Sequence, residues 1–248
     1  YMKIGIFGDS FACKMMRTHN RYKGHPGFDN VGKPWFELLP YDITTYGVSG
    51  SDLFYSYNLY LKEKDKYDKT IFITTAPNRL SIKDPNNQFL HYNSHVIAEI
   101  HKGRSSGQNA DFLESVIRYF KDILDVDKEL ILFNLMVNDI KKDKNCLIIK
   151  AFGEQGLKDV FMMENSAWNI QFKDNHSPGI KDFRYCHMTE QNNIIFSEQV
   201  KDCIDNSKEF VFDLTKFVKP SIEEKNRYIF NTEDLEVWLG DVNDRKNQ

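Results

Sequence analysis

Met2-Lys3-Ile4-Gly5-Ile6-Phe7-Gly8-Asp9-Ser10-Phe11-Ala12 decides how the rest of the chain is read. A short apolar run closed by a glycine-led turn predicts a buried strand, with a helix beginning near Ser10. The same order of strand, small-residue loop and helix returns twice. Asp42 to Tyr46 predicts a second strand, followed by Gly47-Val48-Ser49-Gly50-Ser51 and an amphipathic stretch bearing Leu53, Tyr57, Tyr60 and Leu61. Lys69 to Thr75 predicts a third, ended by Ala76-Pro77-Asn78-Arg79. Such alternation implies right-handed crossovers and a mostly parallel sheet, with ligand sites beyond the carboxyl ends of the strands. The expected fold is a three-layer α/β/α sandwich with a mostly parallel central sheet, with Ser10, Gly50 and Asn78 gathered at one edge.

Further along, Asn109 to Leu124 and Leu130 to Ile140 carry apolar residues at helical spacing, and Cys146 to Phe152 predicts a fourth strand. Residues from about 153 to 185 show weak periodicity and many turn formers, so they read as an irregular insertion over part of the site. Thr189 to Asn206 has helical spacing again, and Phe210-Val211-Phe212 predicts a return to strand. Residues 207–248 form a C-terminal appendix, and the expectation is one domain over residues 1–248. Neither a fixed-period repeat nor a low-complexity linker divides the sequence.

Composition excludes several classes of function. The 248 residues carry 33 basic and 36 acidic side chains, a net charge of −3, so no global field favours nucleic acid or an anionic membrane. No apolar run approaches the roughly 20 residues that span a bilayer, and no export signal is visible, which makes a cytoplasmic setting the expectation. Four scattered cysteines without CxxC spacing fit reduced thiols. Richness in Lys, Asn and Ile points to a microbial or viral source.

A serine needs a base to become a nucleophile at neutral pH, and its acyl intermediate needs donors aimed at the oxyanion. Ser10, where a strand turns into a helix, has backbone N–H groups and a helix dipole at hand; the alternative role is that of an N-cap serine. Asn78 is either a neutral oxyanion donor or a turn former. Arg79 pairs either with an anionic substrate group or with a neighbouring carboxylate.

Gly8-Asp9-Ser10-Phe11-Ala12 resembles the first block of the SGNH/GDSL serine hydrolases. Gly47-Val48-Ser49-Gly50 is similar to the second block, Ala76-Pro77-Asn78 to the third, and Cys186-His187-Met188-Thr189 with Asn192-Asn193 before a helix to the last. The resemblance covers about two thirds of the chain, chiefly residues 2–80 and 145–206. It implies Ser10 as nucleophile, His187 as base, and an oxyanion hole of the Ser10 and Gly50 amides with the Asn78 side chain. It also implies an ester substrate, with O-acetyl groups on carbohydrate as one candidate, and no cofactor or metal. The chain departs from the pattern three residues before His187, where Arg184 replaces the usual acid, leaving Asp182, a backbone carbonyl or nothing to orient the imidazole. Pro77 and Arg79 are further departures. The alternative function is therefore a binding or structural module that kept the fold and lost the chemistry.

His91 and His95 stand four apart, and with Glu99 could line a helix face as metal ligands, but the spacing lacks the glutamate of an HExxH motif. The helical spacing of Phe54, Tyr55, Tyr57 and Tyr60 points to core packing before a ligand pocket. Lys62 to Lys66 alternates in sign and reads as a solvated helix end.

Overall fold

A computed structural model of the chain describes residues 1–13, 33–48, 50–77, 79–83, 89–92, 114–115, 118–151, 180–182, 188, 190–217 and 229–231. The chain divides into two compact units, Tyr1–Cys13 with Tyr41–Ala151, and Lys14–Pro40 with Phe152–Gln248.

The first unit is built on four parallel strands, β1 (Lys3–Phe7), β2 (Asp42–Thr45), β3 (Lys69–Thr74) and a fourth, Cys146–Lys150. Their spatial order puts β1 between β2 and β3, with the fourth strand outside β3. Taking the parallel strands in sequence order, this is 2-1-3-4, the start of the flavodoxin-like order, and the direction of winding reverses between β1 and β3. The expected α/β fold is therefore present.

Alternation along these strands sorts the core. Phe7 and Phe72, neighbours in register, join Leu53, Tyr60 and Ile140 in one buried cluster. Leu53 and Tyr60 come from α1 (Leu53–Glu63), and Ile140 ends a second helix, Val126–Ile140. Tyr60 meets Phe7 and Phe72 edge to face, with ring centroids 5.4 and 5.6 Å apart, an arrangement that suits aromatic quadrupoles. On the opposite face Ile4, Ile6, Ile71, Ile73 and Ile149 are fully buried. A sheet closed on both faces explains why these strands read as continuous apolar runs.

Between β3 and the second helix, β4 (Leu80–Lys83) and β5 (Phe89–Tyr92) form an antiparallel hairpin. Helix α2 (Val126–Ile140) starts earlier than its apolar spacing suggests, because the Asp125 carboxylate accepts the Asp127 and Lys128 amides, both at 3.1 Å. The segment before it ends in a wide turn, Tyr119–Ile123. The fourth parallel strand is β6 (Cys146–Lys150).

In the second unit, β7 (Ile180–Asp182) pairs antiparallel with β8 (Ile229–Asn231), so the region read as irregular contributes a strand and the C-terminal appendix its partner. Between them lies α3 (Glu190–Asn206), whose Phe196 and Val200 are fully buried. Trp35 packs on Phe196 with centroids 4.9 Å apart, and its amide donates to Asn193 Oδ1 at 3.1 Å. The strand expected at Phe210-Val211-Phe212 is not formed. Gln199 occupies both backbone groups of Asp213, accepting its N–H at 3.0 Å and donating to its carbonyl at 3.2 Å. Phe210 and Phe212 turn in to Phe196, at 5.5 and 5.7 Å. Side-chain hydrogen bonds and ring packing thus take the place of a ladder. Among the described residues, no helix is long and apolar enough to cross a membrane.

Candidate active site

Ser10 lies where β1 ends, at the point where the winding of the sheet reverses, and it opens a 3-10 turn, Ser10–Ala12. The cap of that turn is Asp9, which corrects the N-cap alternative for Ser10: Asp9 Oδ1 accepts the Phe11 amide at 3.1 Å. Asp9 is fully buried and Ser10 half-buried. The carboxylate is turned inward and held, while the serine beside it retains access to solvent.

The loop after β2 grips this turn on both sides. The Val48 amide and the Ser51 hydroxyl both donate to the Gly8 carbonyl, at 3.2 and 3.4 Å. Beyond the turn, the Thr45 hydroxyl donates to the Ala12 carbonyl and accepts the Gly47 amide at 3.2 Å. Gly47 sits so close that a Cβ there would stand 2.2 Å from the Ala12 carbonyl carbon. Gly50 has φ +78°, which side chains beyond glycine seldom adopt. Residues Gly47 and Gly50 are thus required by a close approach and by a backbone conformation respectively, and the loop carrying Gly50 lies against the Ser10 turn.

The loop after β3 completes the enclosure. Thr75 Oγ1 donates to Asp9 Oδ2 at 3.1 Å, and Arg79 Nη1 donates to the same oxygen at 2.7 Å. Of the two roles open to Arg79, pairing with a neighbouring carboxylate is the one observed. Arg79 Nη1 also reaches the Ser51 carbonyl at 3.5 Å. Asp52 and Ser81 then tie α1 to the hairpin: the Ser81 amide donates to Asp52 Oδ2 at 2.7 Å and the Asp52 amide to Ser81 Oγ at 3.0 Å. Asp52 also caps α1 through the Tyr55 amide, at 2.7 Å.

Asn78, Ser49 and Arg184 lie outside the described residues, as do His187, His95, Glu99 and Trp168. Asp182 falls in β7, in register with Ile229. Immediately after His187, the Met188 carbonyl accepts Asn193 Nδ2 at 3.1 Å, so Asn193 anchors that segment to α3. Asn192 and Asn193 lie within the helix, as the helical spacing from Thr189 to Asn206 expects, and both are buried. His91 belongs to β5, opposite Ser81, and so cannot share a helix face with His95. No group of three or more metal-ligating side chains occurs among the described residues. Of the aromatics in α1, Tyr60 is core, Tyr57 donates to Asp139 Oδ2 at 2.6 Å, and Phe54 is largely exposed.

No family model matches the chain. No curated protein matches it. Among solved structures, an acetyl xylan esterase is similar at 14% identity over 82% of this chain and 100% of that one, with a TM-score of 0.30.

Proposed function

We propose that the chain is a serine hydrolase of the SGNH/GDSL kind, a single domain that cleaves an ester through an acyl-serine intermediate. The observation that carries this reading is the Ser10 turn, held on three sides at the carboxyl edge of a parallel sheet with the serine itself partly open. Ligands of such sheets bind at that edge, where the winding reverses.

In this reading Ser10 Oγ attacks the ester carbonyl as His187 accepts its proton. The Ser10 and Gly50 amides and the Asn78 side chain hold the oxyanion, where loss of one donor costs about 100-fold to 1000-fold in turnover. His187 returns the proton to the departing alcohol and then activates water to release the acid. The substrate class is a small-molecule or carbohydrate ester, with O-acetyl sugars the first to try. With Arg184 at the usual acid position, Asp182, a backbone carbonyl or nothing orients His187, and in the last case Ser10 and His187 work as a dyad.

The test is turnover of p-nitrophenyl acetate and of acetylated oligosaccharides by wild type, Ser10→Ala and His187→Ala, with and without chelator. Chelator-insensitive turnover lost in both variants supports the reading. A folded wild type that turns over neither ester favours the binding module instead.

A further inference from the structure

We infer that Arg79 is a positioning residue for the proposed nucleophile, acting through Asp9. The inference rests on the reading of Ser10 given above and extends it to a residue the site motifs do not include.

Asp9 is closed to solvent, and among the described residues its carboxylate has three donors: the Phe11 amide on Oδ1, and Thr75 Oγ1 and Arg79 Nη1 on Oδ2. Of these three, Arg79 is the one that brings a positive charge. The Asp9 side chain is 0% and the Arg79 side chain 10% exposed, so water does little to stabilise either charge. A buried carboxylate stripped of its counter-charge is strongly destabilised where it stands, which favours its movement toward solvent. Any such movement releases the Phe11 amide, and with it the turn that begins at Ser10. The same guanidinium nitrogen faces the Ser51 carbonyl, next to Gly50, so one side chain spans the residue before the nucleophile and the residue after the proposed oxyanion amide. Lysine would keep the charge but carry it as a compact ammonium at the end of a differently shaped stem, away from the position of Nη1.

The experiment compares wild type with Arg79→Met, Arg79→Lys, Asp9→Asn and the Asp9→Asn/Arg79→Met double variant, each checked for folding by circular dichroism. Two readouts are taken: amide hydrogen exchange at Phe11, and kcat and KM for p-nitrophenyl acetate. Arg79→Met is expected to speed exchange at Phe11 and to lower kcat by about 10-fold to 100-fold, with KM within about twofold of wild type. Arg79→Lys falls between the two. The double variant, which has no buried charge to neutralise, recovers protection at Phe11 and most of kcat. Should Arg79→Met fail to fold, Arg79→Lys and the double variant decide the matter alone.

Unchanged protection at Phe11 in folded Arg79 variants overturns the inference whatever the activity. A rise in KM with kcat intact, not reversed in the double variant, also overturns it, since Arg79 would then touch substrate directly. If wild type shows no turnover, the hydrolase reading falls on its own, while exchange at Phe11 still tests whether Arg79 holds the turn.

Discussion

Tyr60→Phe removes one oxygen from the middle of the first unit and leaves the ring. The ring is 1% exposed and keeps its edge-to-face contacts with Phe7 and Phe72, so the substitution opens no large cavity. What it removes is the hydroxyl's hydrogen bond to Asp143 Oδ2, at 2.6 Å, which ties α1 to the turn between α2 and β6. Burial pushes the Tyr60 hydroxyl well above its usual range, and the bond to Asp143 adds to that, so it remains a donor. Burial alone would raise the Asp143 carboxyl, yet the Tyr60 hydroxyl, the Asn145 amide and the Lys64 ammonium together hold it below the usual carboxylate value.

A hydrogen bond to a charged group contributes about 1.5–3 kcal/mol. The lower half of that range applies, because Lys64 and the Asn145 amide remain on Asp143. With a urea slope of about 3 kcal/mol per molar for a chain of this size, a loss of about 2 kcal/mol moves the midpoint down by roughly 0.7 M. A carboxyl whose folded pKa is depressed contributes stability that is complete above its unfolded value of about 3.9 and is lost as pH falls through the lower folded value. The gap between wild type and Tyr60→Phe is therefore constant from pH 6 to 8 and narrows below about pH 4. Urea titrations at several pH values, repeated in an Asp143→Asn background, measure this. An equal loss in that background, or a gap indifferent to acid, would refute the assignment.

Gly47→Ala forces a methyl group against the Ala12 carbonyl, which is backbone and cannot step aside. We expect a loss of about 1–3 kcal/mol in urea unfolding, since the Ser10 turn must shift, and with it a loss of the ester turnover proposed for Ser10. Cys146 is a second target: burial, with the Asp143 charge adding to it, pushes its thiol up to about 11. Iodoacetamide at pH 8 should modify it more slowly in native than in urea-unfolded protein, as followed by peptide mass, and equal rates would contradict the raised thiol and its partial burial. Ser207, at the end of α3, has φ +51°. Glycine avoids a left-handed cost of about 1–2 kcal/mol and gives back part of it in chain entropy, so Ser207→Gly should raise stability by about 0.5 kcal/mol in thermal unfolding.

The strands of the parallel sheet were legible because burial on both faces leaves a continuous apolar signature, as in Ile4-Gly5-Ile6-Phe7 and Ile71-Phe72-Ile73. The glycine loop was legible because Gly47 and Gly50 answer to backbone demands that other residues meet badly. What a linear reading lacks is partnership across the fold. Asp9 and Arg79 are 70 positions apart, and nothing in either neighbourhood announces the pair until β1 and β3 lie side by side. The same holds for Asn193, whose bonds to Trp35 and Met188 are made from inside a helix. Phe210-Val211-Phe212 is a short apolar run like those of the strands, but such a run does not say what its backbone will bond to. Gln199 decided what the neighbouring backbone would bond to. His91 and His95 have helical spacing, but His91 stands in the strand β5, where a period of four carries no meaning.

The central claim is that Ser10 is an activated nucleophile, and the most direct measurement is the site at which a fluorophosphonate attaches. Intact mass followed by peptide mapping of the labelled protein should show one adduct, on the peptide containing Ser10. It should be absent from folded Ser10→Ala and strongly slowed in His187→Ala. Folded wild type that takes no label, or takes it at another residue with Ser10 untouched, would contradict the account.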